Sequence, residues 1–288
     1  MTALWVGFAV IVVASLAIDL LTHRNGHGTS RRTAIAWTVV WIGAALGFAI
    51  WIGIARGRSQ AEDFAAAYLM EKSLSIDNLF VFLVVFSRLK LPAAEQHRVL
   101  TWGILGALVF RGIFIAAGSA VIERWHEVVY VLGAFLIFTG IKTLRSHTAP
   151  KDAAATESGV MKFVREKLHV HSTFLLAVLT IELTDILFAV DSVPAVFAVT
   201  DDPFIVYTSN VFAILGLRAL YLVLADLLGR LRYMHIGLAA ILMLAGVKML
   251  VSSAYHVPHW MSLGAIALIM VVTVAASLAQ RPEPRSAG

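Results

Sequence analysis

Nine apolar runs divide this chain of 288 residues, near 3 to 22, 33 to 55, 62 to 88, 99 to 121, 127 to 144, 172 to 200, 204 to 226, 233 to 251 and 259 to 279. Each approaches the roughly 20 residues that a helix needs to cross about 30 Å of hydrocarbon. Backbone polar groups in lipid must be satisfied within their own segment, so the runs predict an all-α polytopic membrane protein with about nine transmembrane helices. With 59% hydrophobic and 14% charged residues, the chain is too apolar for an ordinary soluble domain. The first run lacks a basic leader and a small-residue cleavage site, so it is expected to span the bilayer rather than to act as a signal peptide.

The connections give the orientation. Sixteen basic residues fall in alternate connections: Arg24, Arg31 and Arg32, then Arg88, Lys90 and Arg98, then six from Lys142 to Lys167, then Arg230 and Arg232, and finally Arg281 and Arg285. The other connections hold only Arg56, Arg58 and Arg124. Basic loops stay in the cytoplasm, which puts the N-terminus outside and the C-terminus inside. The net charge of +5 therefore reports loop placement, and the expected partner is the lipid bilayer rather than nucleic acid. Cysteine is absent, which removes disulfides, thiolate metal sites and a cysteine nucleophile. No HExxH sequence occurs either, so an enzyme is not expected.

Two stretches resemble each other. "EKSLSIDN" at Glu71 to Asn78 and "DILFAVDS" at Asp185 to Ser192 align Glu71 with Asp185, Asp77 with Asp191 and Asn78 with Ser192. Farther on, Arg111 aligns with Arg218, and "GIK" at Gly140 to Lys142 with "GVK" at Gly246 to Lys248, the offset drifting only from 114 to 107 to 106. Two three-helix units follow, and because three is odd the second enters the membrane from the opposite side, the inverted-repeat design of many transporters. The expected organisation is a two-helix addition at 1–61, repeats at 62–146 and 172–252, a cytoplasmic linker at 147–171, and a last helix and tail at 253–288. Gly43 and Gly47 give the GxxxG spacing of close helix packing.

Ionisable groups inside these runs need a reason. A charge at a helix centre costs about 2.5–3.5 kcal/mol on insertion scales, so Glu71, Asp77, Glu182, Asp185 and Asp191 mark a functional site by default. The plainer account pairs them with Lys72, Arg111 and Arg218 as buried salt bridges, yet five acids exceed three bases. Together with Asn78, Thr184, Ser192 and Asn210 the acids form an oxygen-only donor set, suited to Mn²⁺, Mg²⁺ or Ca²⁺. All ten histidines lie in loops or near helix ends, and His169 with His171 reads as a solvated face. Pro194 is expected to open its helix and lend carbonyl oxygens, or else simply to kink it.

At these residues the chain resembles the TerC family of integral membrane proteins, named for tellurium resistance, and its Alx-type branch. The resemblance rests on "EKSLSIDNLFVF" at Glu71 to Phe82, "IELTDILFAVDSVPAVFAVT" at Ile181 to Thr200 and "DPFIVYTSNVFAILGLRALY" at Asp202 to Tyr221, and extends to "AIDLL" at Ala17 to Leu21 and "GAFLIFTGIK" at Gly133 to Lys142. It implies a protein of the bacterial cytoplasmic membrane that handles metal ions, with Mn²⁺ export as the leading activity and the acids of both motifs at the ion site. No permanently bound cofactor is expected. Alternating access of the two units would carry the ion, H⁺ would recharge the carboxylates, and Arg111 and Arg218 would balance the empty site. The alternative is a membrane scaffold or accessory factor in metal or tellurite stress.

Overall fold

The computed structural model describes residues 2–22, 31–125, 127–145, 159–170, 172–224, 233–252, 255 and 257–279. Eleven helices occur among them: α1 (Thr2–Thr22), α2 (Arg31–Arg56), α3 (Arg58–Leu89), α4 (Ala93–Arg124), α5 (Val128–Arg145), α6 (159–167), α7 (Thr173–Phe197), α8 (Pro203–Leu215), α9 (Leu217–Leu224), α10 (Met234–Val251) and α11 (His259–Ala279). No strand occurs among the described residues. Seven segments are long and apolar enough to cross a membrane, Arg32–Arg56, Glu95–Arg124, Val128–Arg145, Thr173–Phe197, Pro203–Val223, Met234–Val251 and His259–Ala279. The chain is an all-α polytopic membrane protein. Each of the nine apolar runs is largely helical over its described residues, and α1 and α3 fall outside the seven.

Helix ends follow local chemistry. Gly57 adopts φ 106°, a left-handed value that glycine reaches without strain, and so parts α2 from α3. Lys90 closes α3 in the αL conformation, its N–H donating to the carbonyls of Phe86 and Ser87. Asp202 caps α8 by accepting from the Phe204 N–H at 2.9 Å, with Pro203 at the first helical position.

Packing places α3 centrally, against α2, α7, α8 and α11. The arrangement is reciprocal: α3 packs chiefly on α8, while α7, its counterpart in sequence, packs on α4. α5 and α10, which would be the third helices of the two expected units, run against each other at glycines. A Cβ on Gly246 would lie 2.6 Å from the Gly133 carbonyl oxygen, and one on Gly133 would lie 3.0 Å from that of Gly246. By contrast, a Cβ on Gly43 or Gly47 would meet nothing of the described residues within 4 Å, so the GxxxG face of α2 makes no close helix crossing among them. The N-terminal helices are fastened by aromatic contacts instead, with Phe48 of α2 at 4.9 Å from Phe212 of α8 and 5.3 Å from Phe64 of α3.

Pro194 does not open α7. The helix runs on to Phe197, and the N–H of Ala198 still bonds to the Pro194 carbonyl, because a proline one turn from the end forfeits only one hydrogen bond. The break falls in the next apolar run, where Gly216 separates α8 from α9.

Candidate functional site

Four helices deliver one buried ionic cluster. Arg111 of α4 is 1% exposed and lies between an acid of each proposed repeat. Its Nη1 donates to Glu71 Oε2 of α3 at 2.6 Å, while Nη2 and Nε donate to Asp185 Oδ1 and Oδ2 of α7 at 3.1 and 3.3 Å. That fork holds Asp185 in a bidentate grip. Asn78 Nδ2 donates to Asp185 Oδ1 at 2.9 Å, and Asn210 of α8 adjoins the Glu71 carboxylate. Helical spacing explains the convergence: Glu71 and Asn78, seven residues apart, complete about two turns and share a face of α3.

Glu182 lies one turn before Asp185 on α7 and carries the contrast. It is buried, yet neither carboxylate oxygen has a hydrogen-bond partner among the described residues. Gly106 of α4 makes room for it, since a Cβ there would lie 2.1 Å from Oε1 and 2.3 Å from Oε2. Glu71 Oε1 and Asn210 Oδ1 are likewise buried without a bond of ordinary geometry. The cluster thus combines one strongly bound guanidinium with several oxygen acceptors that remain open. Among the described residues no three acid or imidazole groups converge as a closed metal cage.

Other residues singled out in the sequence lie elsewhere. Asp191 is half-buried beside Thr139 and Lys142 of α5, not beside Arg111. Thr184 spends its hydroxyl on the Thr180 carbonyl one turn earlier, at 2.7 Å. Ser192 is buried and its hydroxyl has no partner among the described residues. Arg218 is buried on α9, with Nη2 3.4 Å from His97 Nδ1 of α4. Asp77 belongs to α3, but its side chain lies outside the described residues. Lys72 turns away from the acids and donates to the Ala213 carbonyl at 2.9 Å, with its Nζ 5.8 Å from the Tyr68 ring. It thereby caps the end of α8 beside Gly216, where a Cβ would come 3.0 Å from the lysine Nζ.

Two features were not found from sequence. The Gly106 cradle had a faint signal, Gly103 and Gly106 three residues apart in one apolar run. A second polar group, at the N-terminal ends of α8 and α11, had none: Asp63 meets His259 Nδ1, Lys248 Nζ donates to the Val199 carbonyl at 3.1 Å, and Arg56 pairs with Asp202 at 2.7 Å.

Residues 56–285, which include every member of the cluster, match the integral membrane protein TerC family. The chain belongs to the TerC family. Among relatives, the Escherichia coli K12 protein named "Putative membrane-bound redox modulator Alx" is 44% identical over 94% of this chain and 92% of its own length. An uncharacterized membrane protein of Myxococcus xanthus is 42% identical over 96% of this chain and 92% of its own. The chloroplastic thylakoid membrane protein TERC of Arabidopsis thaliana is 38% identical, over 87% and 70% respectively. No solved structure matches this TerC chain.

Proposed function

We propose that this TerC protein exports a divalent cation, with Mn²⁺ as first candidate, by alternating access of two inverted three-helix units at 62–146 and 172–252. The observation that carries the reading is the charge of the cluster. Glu71, Asp185 and Glu182 oppose a single guanidinium, that of Arg111, and when all three acids are ionised two negative charges remain. One divalent ion offsets them. Open carboxylate and amide oxygens are donors that hard cations take, whereas the absence of cysteine disfavours a thiophilic metal. Protons taking the place of the departing ion would spare the empty site its repulsion, which makes H⁺ the natural counter-ion. Arg111 would stay as a fixed partner that lets both units share one ion, and the reciprocal packing of α3 on α8 and α7 on α4 suits units that rock about a common site. The basic loops favour the bacterial cytoplasmic membrane with the N-terminus outside.

A scaffold or accessory role is the second reading, drawn from the redox name of the Alx relatives. With no cysteine in the chain, thiol chemistry would have to reside in a partner. Purified protein in liposomes separates the two. Mn²⁺ flux with no other protein present supports the transporter, and liposomes no more permeable than empty ones would hand the function to the scaffold.

A further inference from the structure

The amphipathic stretch "VMKFVREKLHVH" between the two halves has no part in the ion site, and its geometry points outside the protein. Helix α6, residues 159–167, is not a free cytoplasmic loop. Val164, fully buried, forms a cluster with Val170 and Leu176, against which Val160, Met161, Leu89, Leu179 and Leu183 pack. Leu176 lies in the first turns of α7, just beyond its Ser172 cap. α6 is therefore packed beside the N-terminal end of α7, a helix long and apolar enough to cross a membrane.

The outward side of α6 suits a position where a spanning helix meets the bilayer surface. Phe163 is 52% exposed and Leu168, just past the end of α6, 50%, and no described residue covers them. Around them Lys162, Arg165 and Lys167 are exposed against one acid of the described residues 159–170, Glu166, and Lys90 is exposed next to the packed Leu89. An aromatic ring and a leucine among long basic side chains is the chemistry of an interfacial helix: the apolar groups enter the acyl boundary while the cations snorkel to phosphates.

We propose that α6 is a lipid-binding element, which seats anionic phospholipid headgroups of its leaflet on Lys162, Arg165 and Lys167 and buries Phe163 and Leu168 among their acyl chains. Charge complementarity selects anionic over zwitterionic lipid, because each basic group near a negatively charged leaflet adds to the attraction. The contact ties the connection between the two halves to the bilayer.

The cysteine-free chain makes the test direct. Phe163→Cys, at an exposed position, is labelled with an environment-sensitive fluorophore, and the full-length protein is reconstituted in phosphatidylcholine with or without phosphatidylglycerol. The expected result is blue-shifted emission, quenched by doxyl-labelled lipid and shielded from iodide, with stronger lipid quenching when phosphatidylglycerol is present. Adding Lys162→Gln, Arg165→Gln and Lys167→Gln should abolish the difference between the two mixtures. A label quenched by iodide and indifferent to doxyl lipid in both mixtures would overturn the proposal in favour of a water-facing or partner-binding surface. Lipid contact equal in both mixtures would overturn the selection of anionic headgroups.

Discussion

Arg111 and Glu182 represent opposite ways of holding a charge inside a membrane protein. Arg111 makes three hydrogen bonds to two carboxylates, so removing it strands both acids. We expect Arg111→Met to cost about 3–5 kcal/mol, the usual result of breaking a buried pair from one side, read as a lower melting temperature in detergent and lower yield. Replacing Glu71 and Asp185 by Gln and Asn in the same chain should recover part of that loss. Glu182 has no hydrogen-bond partner among the described residues to strand, so Glu182→Gln should leave the melting temperature unchanged or raised while weakening Mn²⁺ binding. The six-line paramagnetic resonance signal of free Mn²⁺ measures this, since it falls as the ion binds. Undiminished binding in Glu182→Gln would remove that residue from the site.

Among the elements, two glycines have jobs that local spacing does not reveal. The pair Gly43 and Gly47 carried the small-residue signature, but the close helix crossing is made by Gly133 and Gly246, more than a hundred residues apart. Gly246→Val should thus overpack the α5–α10 crossing and cost about 1–3 kcal/mol or more, whereas Gly43→Ala should be neutral in thermal melts. A similar limit applies to the helix break. Proline is a visible breaker in sequence, and Pro194 was the obvious candidate, yet the break is at Gly216 because Lys72, 141 positions from Ala213, supplies a donor to the loose carbonyl. What was legible was what repeats or costs energy locally: the apolar runs, and the unusual acids Glu71, Glu182 and Asp185 with Arg111 among them. Which acids meet was not legible, since Asp185 and Asp191 look equivalent in the motif and only packing sends Asp191 to Thr139 and Lys142 of α5. Asp191→Asn should consequently lower Mn²⁺ flux less than Asp185→Asn, measured in one reconstitution.

At the scale of the whole molecule, the claim is that two units of opposite orientation meet at one ion. Topology comes first. Single cysteines in place of Asp201 and Lys151 should react with an impermeant maleimide from opposite sides, Asp201→Cys from outside and Lys151→Cys only after the cytoplasmic face is opened, because basic connections are retained inside. Labelling of both from one side would contradict the orientation. The central claim is that the acids bridged by Arg111 form the path of the ion. Its most direct test is the initial rate of Mn²⁺ entry into liposomes of wild-type protein and of the Glu71→Gln, Asp185→Asn double variant, matched for the amount of protein inserted. The account predicts measurable flux in the wild type and loss of at least most of it, per inserted molecule, in the double variant, which should still insert but melt lower because Arg111 loses both counter-charges. Equal rates in the two preparations would contradict it.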